Sequence, residues 1–156
     1  MDHSFFSQKS TPKRAVGAAL LLLVAFFVER CTSHVQPIKF GKDKCDFCNS
    51  IINEPAFAAE IVLKWNKTYK FDDLSCMLDH LKKEPLKDPD QTRIWVANYA
   101  DPTGNWLDVR EAVFVKSDTY KSPKGGNTAA FVNGAAANAK LPTGAMIYKW
   151  EELPRK

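Results

Sequence analysis

The sequence predicts an α+β domain in which two small ββαβ-type repeats pack into one compact body, preceded by a lipoprotein-type signal segment. Three observations carry that expectation. The chain has 156 residues, room for one domain or two very small ones. A short, wholly apolar run near the N-terminus differs in composition from everything after it. The remainder runs twice through the order strand, strand, helix, strand, in units too small to bury much surface singly.

The apolar run spans residues 15–28 (AVGAALLLLVAFFV), with Lys9, Lys13 and Arg14 before it and Glu29-Arg30-Cys31 after it. A permanent span needs ~20 apolar residues, so this run is short for one. A basic flank, a short apolar core and then a break read as a secretory signal over residues 1–30. Because the run has no polar face, a half-exposed core helix does not fit it. Cys31, directly after the run, resembles the lipobox cysteine of bacterial lipoproteins and is the expected lipidation site. Val28, Glu29 and Arg30 stand where lipoboxes usually carry small residues, which keeps an uncleaved anchor as the competing reading. Either way the domain is expected outside the cytoplasm, attached to a membrane and facing the periplasm or cell exterior.

That assignment changes the charge. The whole chain has 22 Lys+Arg against 18 Asp+Glu, a net charge of +4. Cleavage before Cys31 removes Lys9, Lys13, Arg14 and Arg30 together with Asp2 and Glu29, leaving +2. A nearly neutral domain lacks the concentrated basic face of a nucleic-acid reader, so no nucleic acid is expected among its partners.

Residues 31–38 read as a tether and 39–156 as the domain, with repeat one at about 39–100 and repeat two at about 106–152. In repeat one, residues 58–65 (AAEIVLKW) and 68–71 (TYKF) are strands joined by a turn at Asn66-Lys67. Asp72 and Asp73 offer cap oxygens to a helix over 74–83, whose last turn carries Lys82 and Lys83. Pro85 and Pro89 end it, and 94–99 (IWVANY) is the next strand. In repeat two, 111–116 and 128–132 are strands separated by a Gly/Pro/Ser-bearing loop. An Ala-rich helix follows at 134–140, and a strand at 145–150 closes the unit. The four tryptophans, in or beside these strands, are expected to serve core and edge packing.

The chemistry concentrates in three cysteines and a histidine. Cys45-Asp46-Phe47-Cys48 is a C-x-x-C, a spacing that lets two thiolates meet one soft ion or close a disulfide. A thioredoxin-like redox pair would need this motif to open a helix after a parallel strand, and the flanking pattern is not βαβ. Cys76 and His80 lie i, i+4 on the predicted helix and share a face. Leu74, Met77, Leu78 and Leu81 form its apolar stripe, which puts Cys76 and His80 nearly opposite and free to meet the Cys45–Cys48 loop. The set Cys45, Cys48, Cys76 and His80 would hold zinc tetrahedrally, and a subset with an open position would suit Cu(I). His34, in the tether, reads as a bystander. No phosphate loop, nucleophile elbow or carboxylate pair with catalytic spacing is present, so no enzyme is expected.

In order, Cys45-x-x-Cys48, Phe71-Asp72-Asp73 with Cys76-Met77, Ile94-Trp95-Val96, Trp106-Leu107-Asp108 and Ala130-Phe131 resemble the nitrous-oxide reductase accessory lipoprotein (NosL) family over residues 39–152. The resemblance implies a membrane-anchored periplasmic protein that binds one Cu(I) and supplies it during maturation of the copper centres of nitrous-oxide reductase. Its partner would be that acceptor or its assembly machinery. Two positions depart from the family. Ser50 stands where members usually carry Met two positions after the second cysteine, and Pro123-Lys124-Gly125 replaces a frequent Pro-Met-Gly. Serine is a hard, weak ligand and lysine is normally protonated. Either copper is held by Cys45 and Cys48 with Cys76 or His80, or the site has turned to another metal or been lost. Two rival functions stay open: a structural zinc or disulfide-stabilised interaction module, and a thiol–disulfide oxidoreductase, which would need a solvent-reachable Cys45 of lowered pKa.

Overall fold

The computed structural model describes residues 35–154 apart from residue 140. The expected signal segment at 1–30, Cys31 and His34 lie outside the described residues. Among the described residues no helix is long and apolar enough to cross a membrane.

Two antiparallel sheets organise the chain. The first is built from β1 (Ala59–Val62), β2 (Thr68–Phe71), β3 (Arg93–Ala97) and β4 (Trp106–Asp108), in the order β2-β1-β3-β4. The second is built from β5 (Val113–Lys116), β6 (Thr128–Phe131) and β7 (Met146–Tyr148), in the order β6-β5-β7. Helix α1 (Leu74–Lys83) follows β2, and the short helix α2 (Gly134–Asn138) follows β6. The chain is thus a mixed domain of two antiparallel sheets and few helices. One expectation needs correcting: β4 begins where the second repeat was placed, yet it pairs with β3 in the first sheet, Val96 opposite Leu107.

Alternation sorts the faces. Ala59 and Ile61 of β1, Phe71 of β2, Val96 of β3 and Leu107 of β4 pack with Leu74 and Met77 of α1 in one buried cluster, which also takes in Phe114 and Ala130 of the second sheet. Val113 and Val115, on the other face of β5, pack with Ala129, Phe131 and Ala137 of α2. The second sheet is therefore covered on both faces, by α2 on one and by the first half on the other. The Tyr99 N–H, donating to the Ala130 carbonyl at 2.8 Å, joins the sheets by backbone as well.

The hairpin between β1 and β2 holds a second correction. β1 ends at Val62 and the chain turns through Lys64–Asn66, closed by Leu63 N–H donating to Lys67 O. Trp65 sits at the tip, 88% exposed and with a left-handed φ of +65°. It packs in no core, unlike the half-buried Trp95, Trp106 and Trp150.

The outer face of the first sheet buries an acid. Glu60 lies directly opposite Lys70 on β2 and Trp95 on β3, and it is fully buried. Its Oε2 accepts from Gln36 N–H at 2.9 Å, while Oε1 has no partner among the described residues. Burial pushes the carboxyl up to about 7 from an ordinary 4.5, against the opposing pull of the Gln36 N–H and Lys70. The folded protein thus holds this proton more tightly than the unfolded chain. The resulting stability is full below pH 4.5 and lost as pH rises through 7, up to about 3 kcal/mol over the window. Glu60→Gln should flatten that slope and raise stability above pH 7.5 by roughly 1–2 kcal/mol, relieving a buried unpaired charge. Urea denaturation at pH 5 and pH 8 measures it; equal slopes in both proteins would refute it.

Candidate metal centre

The site grows from a small loop and one helix end. Residues 43–52 fold back as a hairpin: Lys44 bridges Ile51, Cys45 N–H donates to Ser50 O at 2.8 Å, and Asn49 N–H returns to Cys45 O at 2.9 Å. Asn49 takes the left-handed φ of +60° that closes the turn, a conformation asparagine tolerates well. Asp46, inside the C-x-x-C, fastens the loop to the edge of β2. Its N–H donates to Lys70 O and its carboxylate accepts from Lys70 N–H. This reciprocal pair sets the loop beside the start of α1.

At that start the two aspartates divide their work. Asp73 is the N-cap, accepting from Ser75 N–H at 2.8 Å, and is almost completely buried. It also accepts from Ser122 Oγ at 2.6 Å and from Lys124 N–H at 2.8 Å, so it binds the β5–β6 loop to the helix. Gly126 belongs to the same contact. A Cβ there would come within 2.8 Å of Asp73 Oδ1 and 2.9 Å of Ser75 Cβ. Asp72, 2% exposed, turns the other way, toward the cysteines.

The Sγ atoms of Cys45, Cys48 and Cys76 and a carboxylate oxygen of Asp72 all lie within 4.8 Å of one another. A tetrahedral ion with bonds of ~2.3 Å places its sulfur ligands about 3.8 Å apart, so a small contraction would bring these donors onto one ion. All three cysteines are free thiols. Cys45 is wholly enclosed, and Cys48 S–H points at Asp72 Oδ1 and Oδ2, 3.5 and 3.6 Å away.

The electrostatics favour an anionic site. Cys76 S–H donates to Cys45, and with further backbone N–H groups from Cys48, Asp72 and Phe47 this brings the Cys45 thiol down to about 6 against its burial. The same shared hydrogen bond drives Cys76 far upward. The two buried thiols therefore hold one proton between them and release the first far more easily than the second. Backbone N–H groups converging on the first sulfur of a C-x-x-C turn are the geometry in which that sulfur serves as a thiolate. The oxidoreductase reading had required the lowered thiol to be reachable by solvent. Cys45 is lowered but fully enclosed, and Cys48 is the half-exposed member of the pair.

His80 stands apart from the cluster. Its ring lies against Tyr69 and Phe71, centroids 4.8 and 5.3 Å away, on the face of β2 that α1 covers. The buried residues of α1 are Leu74, Cys76, Met77 and His80, whereas Leu78 and Leu81 are only half-buried. The expected orientation of the helix is thus corrected. Its buried face centres on Met77, and Cys76 and His80 are part of it rather than opposite it. A thiol packs as a small apolar group, and an imidazole ring packs well against aromatic rings, so neither had to avoid the core.

Asp72 is a donor outside the set expected from the sequence, where both aspartates offer cap oxygens to the helix. One helix start needs one cap residue, so the second buried carboxylate had to have another partner. The two departures noted above also meet here. Lys124 Nζ donates to Ser50 Oγ at 2.7 Å and stands 4.0 Å from Asp72 Oδ2. Cys48, Cys76 and Lys124 line a cleft of about 370 Å³ with Phe47, Leu74 and Gly126, so the cluster has a way to the outside.

Comparison with known proteins places this architecture. The crystal structure of the copper chaperone NosL from Shewanella denitrificans has a similar fold, with a TM-score of 0.63 at 20% identity, covering 78% of this chain and 96% of that one. No curated protein matches the chain. The NosL family model matches residues 37–156, from the end of the tether through both sheets to the C-terminus. The chain belongs to the NosL family.

Proposed function

We propose that this protein is an exported, membrane-anchored carrier of Cu(I) that supplies copper for maturation of nitrous-oxide reductase. The observation that carries the reading is the convergence of three cysteine sulfurs and the Asp72 carboxylate within 4.8 Å, two of those sulfurs facing a cleft. Membership of the NosL family and the likeness in fold to a copper chaperone support it. The ion is cargo. Cys45 anchors it from within as a thiolate, and Cys48 and Cys76 hold it at the cleft. An acceptor's soft ligands enter from the cleft and displace Cys48 first, so the ion is never released into water. Nothing in this cycle requires catalysis of a covalent reaction.

Thiolates favour Cu(I), while the carboxylate of Asp72 is a harder donor that also suits zinc. A structural zinc site is accordingly the second reading. It would make folding depend on the metal by several kcal/mol, whereas a carrier folds without its cargo. The reduced protein, titrated anaerobically with Cu(I) against a competing chelator, should bind one ion per chain. A Cys45→Ser/Cys48→Ser variant should lose that binding. If it competes as well as the parent, the carrier reading is wrong. Transfer of the ion to copper-free nitrous-oxide reductase in a mixed sample tests the acceptor separately.

A further inference from the structure

Ser50 and Lys124 lie far apart in the chain yet meet over the cysteine cluster, and what they place there is a fixed positive charge. The Lys124 backbone N–H is held by Asp73 at 2.8 Å, Gly126 allows the close approach of that loop, and Nζ donates to Ser50 Oγ at 2.7 Å. The ammonium therefore stands 4.0 Å from Asp72 Oδ2, its side chain only 34% exposed, on the cleft side of the site. A lysine ammonium beside a buried carboxylate is positively charged at physiological pH. Lys116 and Asp79 line the same cleft.

We propose that Lys124 sets the charge preference of the metal site, acting as a built-in counter-cation that disfavours a divalent ion twice as strongly as a monovalent one. The inference rests on the carrier reading above and adds to it the residue that selects among cargoes. Its physics is elementary: the energy of an ion near a fixed charge is linear in the ion's own charge, so the repulsion felt by Zn(II) is double that felt by Cu(I). Three thiols and a carboxylate would otherwise form a strongly anionic pocket that rewards the doubly charged ion. Lys124 offsets one unit of that charge without offering a ligand, since an ammonium has no lone pair. The discrimination comes from position, and position comes from Asp73 and Ser50.

The test is a pair of affinities in full-length protein, Cu(I) and Zn(II), each measured by chelator competition under reducing, oxygen-free conditions. Lys124→Gln removes the charge without adding a soft ligand, and Lys124→Arg keeps it. Repeating both titrations at two pH values separates the effect of the fixed charge from changes in thiol ionisation. In Lys124→Gln the preference for Zn(II) over Cu(I) should rise by about tenfold, with the zinc gain roughly the square of the copper gain. Lys124→Arg should stay within about twofold of the parent, and the difference between the variants should shrink at high salt. An unchanged ratio in Lys124→Gln, with Cu(I) still bound through the cysteines, overturns the proposal and leaves the carrier reading standing. Failure of the parent to bind Cu(I) more tightly than Cys45→Ser/Cys48→Ser overturns both.

Discussion

Asp73→Ala should destabilise the protein by about 3–4 kcal/mol, the largest loss expected from any single polar side chain here. The carboxylate is 1% exposed and accepts four hydrogen bonds, from Ser75 N–H and Oγ, Ser122 Oγ and Lys124 N–H. Losing the cap alone costs ~1 kcal/mol. The two bonds to the β5–β6 loop are charge-assisted and largely shielded from water, each worth about 1.5–3 kcal/mol, and the donors left behind would have no nearby replacement. Asp73→Asn should cost less, because its amide oxygen can still cap α1 while its NH₂ faces donors that need an acceptor. Urea denaturation gives the free energies. A loss under 1 kcal/mol for alanine would mean that the loop is held by other contacts. The same variant should move the Zn(II)/Cu(I) ratio toward that of Lys124→Gln, because the loop that positions the ammonium is anchored at this carboxylate.

That dependence explains which parts of the site could be read from the sequence. An apolar, β-branched run, the turn at Asn66-Lys67 and the Asx cap locate β1, β2 and α1 within a few residues, because those signals are local. The C-x-x-C spacing and Cys76 could be grouped because one turn of helix and one tight loop have known reach. The direction of α1 could not be read from its leucines: Leu78 and Leu81 sit on the flank, and the thiol and imidazole expected opposite the leucine stripe are inside. The contact of Ser50 with Lys124, 74 residues apart, has no local signature at all. It follows from how the second sheet docks on the first through Phe114 and Ala130, a matter of tertiary packing. Glu60 was equally hidden. An acid in the middle of an apolar strand reads as a solvent-facing position until the segment carrying Gln36 covers it.

Cys76 and His80 occupy successive turns of α1, and their substitution separates a metal ligand from a core residue. Cys76→Ser should weaken Cu(I) binding by roughly 100-fold or more, since a hydroxyl is hard, stays protonated and cannot replace a coordinating thiolate. His80→Ala should leave Cu(I) affinity within about threefold of the parent, because second-neighbour changes that do not orient a ligand have little hold on the ion. Its cost falls on stability, about 1–3 kcal/mol, from the packing it gives up between Tyr69 and Phe71. Affinity by chelator competition and stability by denaturation should thus move in opposite variants. A His80→Ala protein that folds normally but loses copper would require the imidazole to swing one turn along the helix on binding, and would restore the histidine to the ligand set in place of Asp72.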